Sequence, residues 1–140
     1  GEMRRGYLAF AWGVPSRQRG TVAAPIDRHP HAREKMAVRE GGREAVTHWE
    51  IQETFAARDG KPIAALVACQ LETGRTHQIR VHASEGIGIP ISGDPVYGAG
   101  KGPMLLHALS LRVERGGKPA IEAAAPLPPT FVNAGLGDVV

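Results

Sequence analysis

Residues 71–81 read LETGRTHQIRV, and they follow an apolar run, IAALVACQL, at residues 63–71. The apolar run has the length and character of a buried β-strand. Two arginines, a histidine, a glutamine, two threonines and a glycine then crowd into eleven residues. Because buried polar groups cost free energy unless they are partnered, this concentration directly after a core strand predicts a functional site.

On both sides of this stretch, most of the chain has the pattern of short strands bounded by glycine and proline. Residues 16–30 are rich in arginine, glycine and proline and are expected to form an exposed loop. Adjacent strands usually pair with each other, so the fold class is expected to be α+β, with an antiparallel or mixed β-sheet and few helices. Strands are expected at residues 6–12, 37–38, 44–55, 63–71, 104–113 and 120–125.

Two features organise the expected strand at residues 44–55. Alternation at period two predicts that one face of it carries Thr47, Trp49, Ile51 and Phe55. Arg58-Asp-Gly-Lys61 then predicts a hairpin turn, because Asp-Gly tolerates positive φ angles. The following strand, residues 63–71, would therefore pair with it directly.

After residue 75 the pattern changes from strand to helix. Thr76 is a good N-cap residue, and Ile79, Ala83 and Ile87 recur on one helical face. Gly86 or Gly88 can end this helix.

The start of this helix is expected to bind an anion, either a phosphate or a carboxylate. Free backbone N–H groups and the positive end of the helix dipole favour negative charge there. Arg75 lies just before the helix, and Arg80 lies one turn into it. The alternative is that these arginines brace the sheet through backbone carbonyl groups.

Composition limits the class of protein but does not name its function. The chain has 140 residues, 42% apolar and 22% charged, which suits one globular domain. Thirteen arginines against four lysines, with a net charge of +3, favour a polyanionic partner such as nucleic acid. A GC-rich genome would produce the same bias, so charge alone decides nothing. Cys69 is the sole cysteine, which fits a reducing cytoplasm.

Several kinds of site are not predicted. His77 and His82 are five residues apart and do not share a helical face, so no metal site is expected. The glycine-rich residues 93–101 lack the spacing of a phosphate-binding P-loop, and Asp94 before Pro95 reads as a turn former. No apolar run is long enough to span a bilayer, so a membrane partner is not expected.

Several motifs, in one order, resemble the RluA-type RNA pseudouridine synthases. The motifs are TGRTHQIRVH at 73–82, GIPISGD at 88–94 and Tyr97-Gly98, with further likeness at 7–13, 25–26, 35–38, 45–49 and 106–108. The resemblance implies an isomerase that detaches uracil from its ribose and reattaches it through C5, in ribosomal or transfer RNA. It implies no metal or organic cofactor. Cytoplasmic localisation is expected.

The family's catalytic aspartate, in an Arg-Leu-Asp motif, has no counterpart here. None of Asp27, Asp59, Asp94 or Asp138 lies in such a motif. Residues 1–140 are therefore expected to be the C-terminal part of a catalytic domain, a single partial domain that is inactive alone. Its expected partners are RNA, the missing N-terminal part and, through an exposed sheet edge, further copies of itself. A non-catalytic RNA-binding domain on the same scaffold, and a plain anion-binding or protein-binding domain, are the alternatives.

The resemblance also assigns roles to single residues. Tyr7 matches the tyrosine that packs on the target base, and Arg80 matches the arginine that pairs with the catalytic carboxylate. Arg75, His77 and Gln78 would line the mouth that faces the RNA, and Leu106 would form part of an apolar wall. The arginine-rich residues 17–33 could touch the RNA backbone.

Overall fold

The computed structural model describes residues 2–32, 34–100, 102–113 and 119–123. Helix α1 (Gln78–Val81) continues directly into a π-helical segment, His82–Ile87. The described strands are β1 (Glu2–Ala11), β2 (Arg19–Ala23), β3 (Ile26–Arg28), β4 (Met36–Val38), β5 (Val46–Ala56), β6 (Pro62–Leu71), β7 (Leu106–Val113) and β8 (Pro119–Ala123). Positions 124 and 125 of the last expected strand lie outside the described residues.

One antiparallel sheet carries most of these strands. Its order is β2-β5-β6-β1-β7-β8, and β3 and β4 pair separately. The expected α+β class is therefore confirmed, with the sheet antiparallel rather than mixed. The expected hairpin is also present, because the Ala57 N–H donates to the Lys61 carbonyl and Gly60 has a φ of 85°.

Burial on both faces explains the apolar sequence of β6, since its side chains enter a hydrophobic core on each side of the sheet. One face of the sheet packs against the helix, where Val67 and Cys69 meet Ile79 and Ala83. The opposite face forms a second core around Phe10, which is fully buried. Its other buried members are Leu8, Ala64, Leu66, Ala68 and Leu105.

A β-bulge in β5 corrects the prediction that Phe55 shares a face with Trp49 and Ile51. Ile51 pairs with Val67, whereas Glu53 pairs with Leu66, so Gln52 is an extra residue. One extra residue reverses the alternation of side chains beyond it. Trp49 and Ile51 therefore pack on the helix side, whereas Phe55 packs on the Phe10 side.

Residues 16–30 were expected to be a loop, and this prediction is wrong. They contain β2, at the edge of the sheet beside β5, and β3. Along β2 exposed and half-buried residues alternate, as expected where one face of an edge strand meets solvent. Gly20 is needed there because a Cβ would lie 2.9 Å from Nε1 of Trp49. The polar composition of the segment concealed the strand.

Burial makes Cys69 chemically quiet. The residue is 3% exposed, and burial raises the pKa of its thiol to about 12. Because the thiolate is the reactive form, we expect a thiol-alkylating reagent at neutral pH to modify Cys69 only after unfolding. Intact mass with and without denaturant measures this, and rapid labelling of the folded chain would contradict it.

Within the described part of the chain, no helix combines the length and the apolar character that a membrane span requires.

Candidate functional site

The polar stretch begins its helix later than the sequence suggests. The predicted N-cap, Thr76, is wrong, because α1 starts at Gln78 and no side chain caps it. His77 lies directly before the helix, at its N-cap position, with a left-handed φ of 56°. No other described residue apart from glycine has a positive φ. The predicted apolar face, Ile79 with Ala83 and Ile87, and the end at Gly88, with φ of 90°, are confirmed.

The side chain of Gln78 ties the loop before the helix to strand β5. Its Oε1 accepts from the Thr73 hydroxyl at 2.6 Å and from the Arg75 N–H at 3.0 Å. Its Nε2 donates to the Val46 carbonyl and to the Thr47 hydroxyl oxygen, both at 3.0 Å. All four hydrogen-bonding positions of the carboxamide are thus used within the chain.

His82 continues this network into the core. It is fully buried, with Nε2 2.9 Å from the Ala24 carbonyl and Nδ1 2.7 Å from the Thr47 hydroxyl. The carbonyl can only accept, so Nε2 carries the proton and the Thr47 hydroxyl donates to Nδ1. Burial lowers the pKa of His82, although the bond to Ala24 opposes that shift. The result is a neutral histidine that fixes the helix against β5 and the end of β2.

Arg80 has its carboxylate partner within the chain, which corrects the expectation of an external one alone. Its Nε and Nη2 donate to the two carboxylate oxygens of Asp94, each at 2.9 Å. Asp94 is fully buried, and its Oδ1 also accepts from the N–H groups of Val96 and Tyr97. Asp94 is therefore both the turn former that was expected and a site residue that was missed.

The pair sets the ionisation of both groups. Burial alone would raise the pKa of Asp94, but Arg80 and the two backbone N–H groups hold that pKa below its ordinary value. The hydrogen bonds between Arg80 and Asp94 raise the pKa of Arg80. Nη1, and the second N–H of Nη2, have no hydrogen-bond partner among the described residues. With 16% of its side chain exposed, Arg80 can thus present a fixed positive edge to a second anion.

Tyr97 supports both Arg80 and His77. The Arg80 guanidinium lies over the Tyr97 ring, with Cζ 5.2 Å from the ring centroid. The Tyr97 hydroxyl accepts from the Met36 N–H at 2.8 Å and lies 2.9 Å from Nδ1 of His77. Burial and the Arg80 charge lower the pKa of His77, so its imidazole is neutral at pH 7. Since left-handed non-glycine residues cluster at functional sites, this placement supports a role for His77.

These side chains meet at an open cleft on the helix side of the sheet. We call it the Tyr7–Arg80 cleft, and its volume is about 170 Å³. Tyr7 comes from β1 and Leu106 from β7, where Leu106 pairs with Ala9 and so faces the same side as Tyr7. The lining residues are Tyr7, Leu71, Arg75, His77, Gln78, Ile79, Arg80 and Leu106.

Every residue that the sequence predicted for the site lines this cleft, but the contacts of some of them differ from those expected. Gln78 is 3% exposed and its polar atoms are occupied, so we revise its expected RNA contact to a supporting role. Arg75 makes one contact of the kind expected if these arginines brace the sheet, because its Nε donates to the backbone carbonyl of Glu44 at 2.7 Å. Asp94, Thr47 and Tyr97 are the supporting residues that sequence reasoning did not identify.

No group of three or more histidine, cysteine, aspartate or glutamate residues that could hold a metal ion occurs in the described ranges. The chemistry that this cleft offers consists of an aromatic and apolar wall, a held guanidinium and a neutral imidazole.

Comparison with known proteins assigns the chain to a family. The family model described as RNA pseudouridylate synthase matches residues 1–85. An RNA pseudouridine synthase of Zymomonas mobilis is 42% identical over an alignment 142 residues long, which covers 97% of this chain and 62% of that protein. The ribosomal large subunit pseudouridine synthase D of Xanthomonas campestris is 50% identical over 97 residues, 69% of this chain and 27% of the relative.

A solved structure shows the same architecture. Human RNA pseudouridylate synthase domain containing 1 superposes with a TM-score of 0.66 at 25% identity, over 94% of this chain and 58% of that one. The chain spans less than two thirds of the length of each of these relatives. Family model, relatives and fold agree, and the chain belongs to the RNA pseudouridylate synthase family.

Proposed function

We propose that this chain forms part of the uridine site of an RNA pseudouridine synthase acting on ribosomal or transfer RNA. The observation that carries the proposal is the meeting of Tyr7, Leu106 and Arg80 at one cleft. Family membership supports it, because relatives of this chain carry that activity in their names.

The wall of the cleft suits a base that has left its stack. An enzyme that acts on a base in structured RNA must turn that nucleotide out into a pocket. Tyr7 and Leu106 face the same side of neighbouring strands, on diagonal positions that long side chains can bridge. The Tyr7 ring would pack on the uracil, and Leu106 would exclude water beside it.

Arg80 would position and ionise the nucleophile. Its unpartnered N–H groups, on Nη1 and Nη2, can bind a second carboxylate while Asp94 stays bound to Nε and Nη2. A neighbouring guanidinium favours the ionised form of a carboxylic acid. None of the described residues that line the cleft is an aspartate or glutamate, so we propose that the nucleophilic carboxylate comes from outside these 140 residues.

Tritium release from RNA labelled at C5 of uridine tests this assignment. The 140-residue chain alone should release none, because the nucleophile is absent. The protein encoded by the complete reading frame should release tritium, and Arg80→Lys in that protein should slow release by about 100-fold, since a point charge cannot hold two carboxylates in place.

Arg58→Lys, in the exposed turn between β5 and β6, is the control and should retain full activity. A complete protein that releases no tritium from any uridine-labelled RNA would contradict the proposed function. Tritium release by the 140-residue chain would contradict only the proposal that the nucleophile comes from outside these residues.

A further inference from the structure

A second depression lies beside the Tyr7–Arg80 cleft and shares one residue with it. We call it the arginine groove, because its lining includes Arg28 in β3, Arg43 and Arg75. Its volume is about 400 Å³, and Arg75 also lines the cleft. The two depressions therefore adjoin at Arg75.

Charge in the arginine groove is mostly positive and not neutralised. Arg28 and Arg43 are exposed, and neither guanidinium has an ion pair or hydrogen bond among the described residues. Asp27 is the single carboxylate in the lining, and its Oδ1 already accepts from the Arg28 N–H at 2.7 Å. Three arginines and one partly occupied carboxylate thus line the groove.

The backbone holds these arginines in place. Arg43 and Ile26 exchange two backbone hydrogen bonds of 2.9 Å, which fix the turn at residues 39–43 against β3. Gly42 permits this contact, since a Cβ there would lie 2.8 Å from the Ile26 carbonyl carbon. A Cβ on Gly41 or Gly74 would meet nothing within 4 Å, so both of these positions in the lining are unobstructed.

We propose that the arginine groove binds backbone phosphates of the RNA strand whose target nucleotide enters the Tyr7–Arg80 cleft. This inference rests on the proposed function and adds to it the path of the strand. Guanidinium groups bind phosphate oxygens in pairs, and phosphate contacts set register without reading sequence. Arg75, between the two depressions, is placed to contact the phosphate next to the flipped nucleotide.

Salt-dependent binding of a short fluorescein-labelled oligouridylate tests the proposal. The variant Arg28→Gln/Arg43→Gln should bind several-fold more weakly at low salt. The slope of log Kd against log salt, from about 50 to 200 mM KCl, should fall by about 1 to 1.5, as two lost phosphate contacts require.

The control is Arg58→Gln/Lys61→Gln, which removes the same net charge from the exposed turn at the far end of β5. The eleven residues of β5 place that turn about 30 Å from the groove. It should bind with the affinity and slope of the unaltered chain. Thermal unfolding of both variants confirms that they remain folded.

The outcomes separate the inference from the proposed function. Equal losses in the two double variants, or an unchanged slope in Arg28→Gln/Arg43→Gln, would overturn the groove while leaving the function standing. Failure of the unaltered chain to bind the oligouridylate in a salt-dependent manner would also overturn the groove, whereas the proposed function is overturned only if the complete protein releases no tritium.

Discussion

Replacement of Arg80 by alanine is expected to destabilise the folded chain by about 3–5 kcal/mol at neutral pH, as when one partner of a buried ion pair is removed. Asp94 is fully buried and would keep only the N–H groups of Val96 and Tyr97 as partners. Urea unfolding of the chain and of Arg80→Ala measures the loss. A loss of activity in Arg80→Ala could therefore come from unfolding. Arg80→Lys keeps the positive charge beside Asp94 and is the better variant for the tritium-release measurement.

Asp94→Asn, added to Arg80→Ala, is the matched control. It removes the unpaired charge but keeps an oxygen that can accept from Val96 and Tyr97, so part of the lost stability should return. Further destabilisation by the second substitution would contradict the buried-charge explanation.

The difference in folding stability between the unaltered chain and Arg80→Ala is expected to depend on pH. In the folded chain the pKa of Asp94 lies below its ordinary 3.8, so its stabilising effect is present above that value and is lost as the pH falls through the folded-state pKa. In Arg80→Ala only the two backbone N–H groups oppose the effect of burial, so the pKa of Asp94 should be higher than in the unaltered chain and the carboxyl should become neutral sooner on acidification. The stability gap between the two proteins should therefore narrow as the pH is lowered from about 7 towards 3.

Gly93→Ala is expected to lower the free energy of unfolding by about 3 kcal/mol or more, since it adds overpacking to a left-handed backbone. Gly93 has a φ of 82°, and a Cβ there would lie 2.0 Å from the Pro103 carbonyl oxygen. Backbone must move to relieve this contact, and the neighbouring residue is Asp94. Equilibrium unfolding in urea measures the loss.

Gly60→Ala separates the two causes. Gly60 has nearly the same φ, 85°, but a Cβ there would meet nothing within 4 Å. It should therefore lose only about 1–2 kcal/mol, the penalty of a left-handed residue with a side chain. Equal losses at the two glycines would show that the contact with Pro103 does not matter.

The strands were readable from sequence where burial on one or both faces left an apolar pattern. β5, β6 and the turn at Asp59-Gly60 are of this kind. β2 was not, because an edge strand with a solvent-facing side can be built from polar residues. The bulge at Gln52 was also invisible, since period-two alternation holds on either side of it and only the pairing with β6 reveals the extra residue.

Within the site, sequence reasoning found the residues that line the cleft more easily than those that hold them. Tyr7, Arg80 and Leu106 line one cleft. The partner of Arg80 was missed because Asp94, fourteen residues away, looks like an ordinary turn residue before a proline. Gln78 was misjudged because its partners, Val46 and Thr47, are distant in sequence.

The bonds of Gln78 and His82 to residues some 30 to 60 positions upstream limit how the segment at residues 71–82 can be reused in protein engineering. Transplanted into another host as a loop and helix, it would bring its guanidinium groups but lose their alignment. A successful graft must also carry the two receiving strand ends, around Ala24 and around Val46-Thr47. The unit that could be transferred to another protein is thus built from separate segments of the chain and is not one contiguous segment.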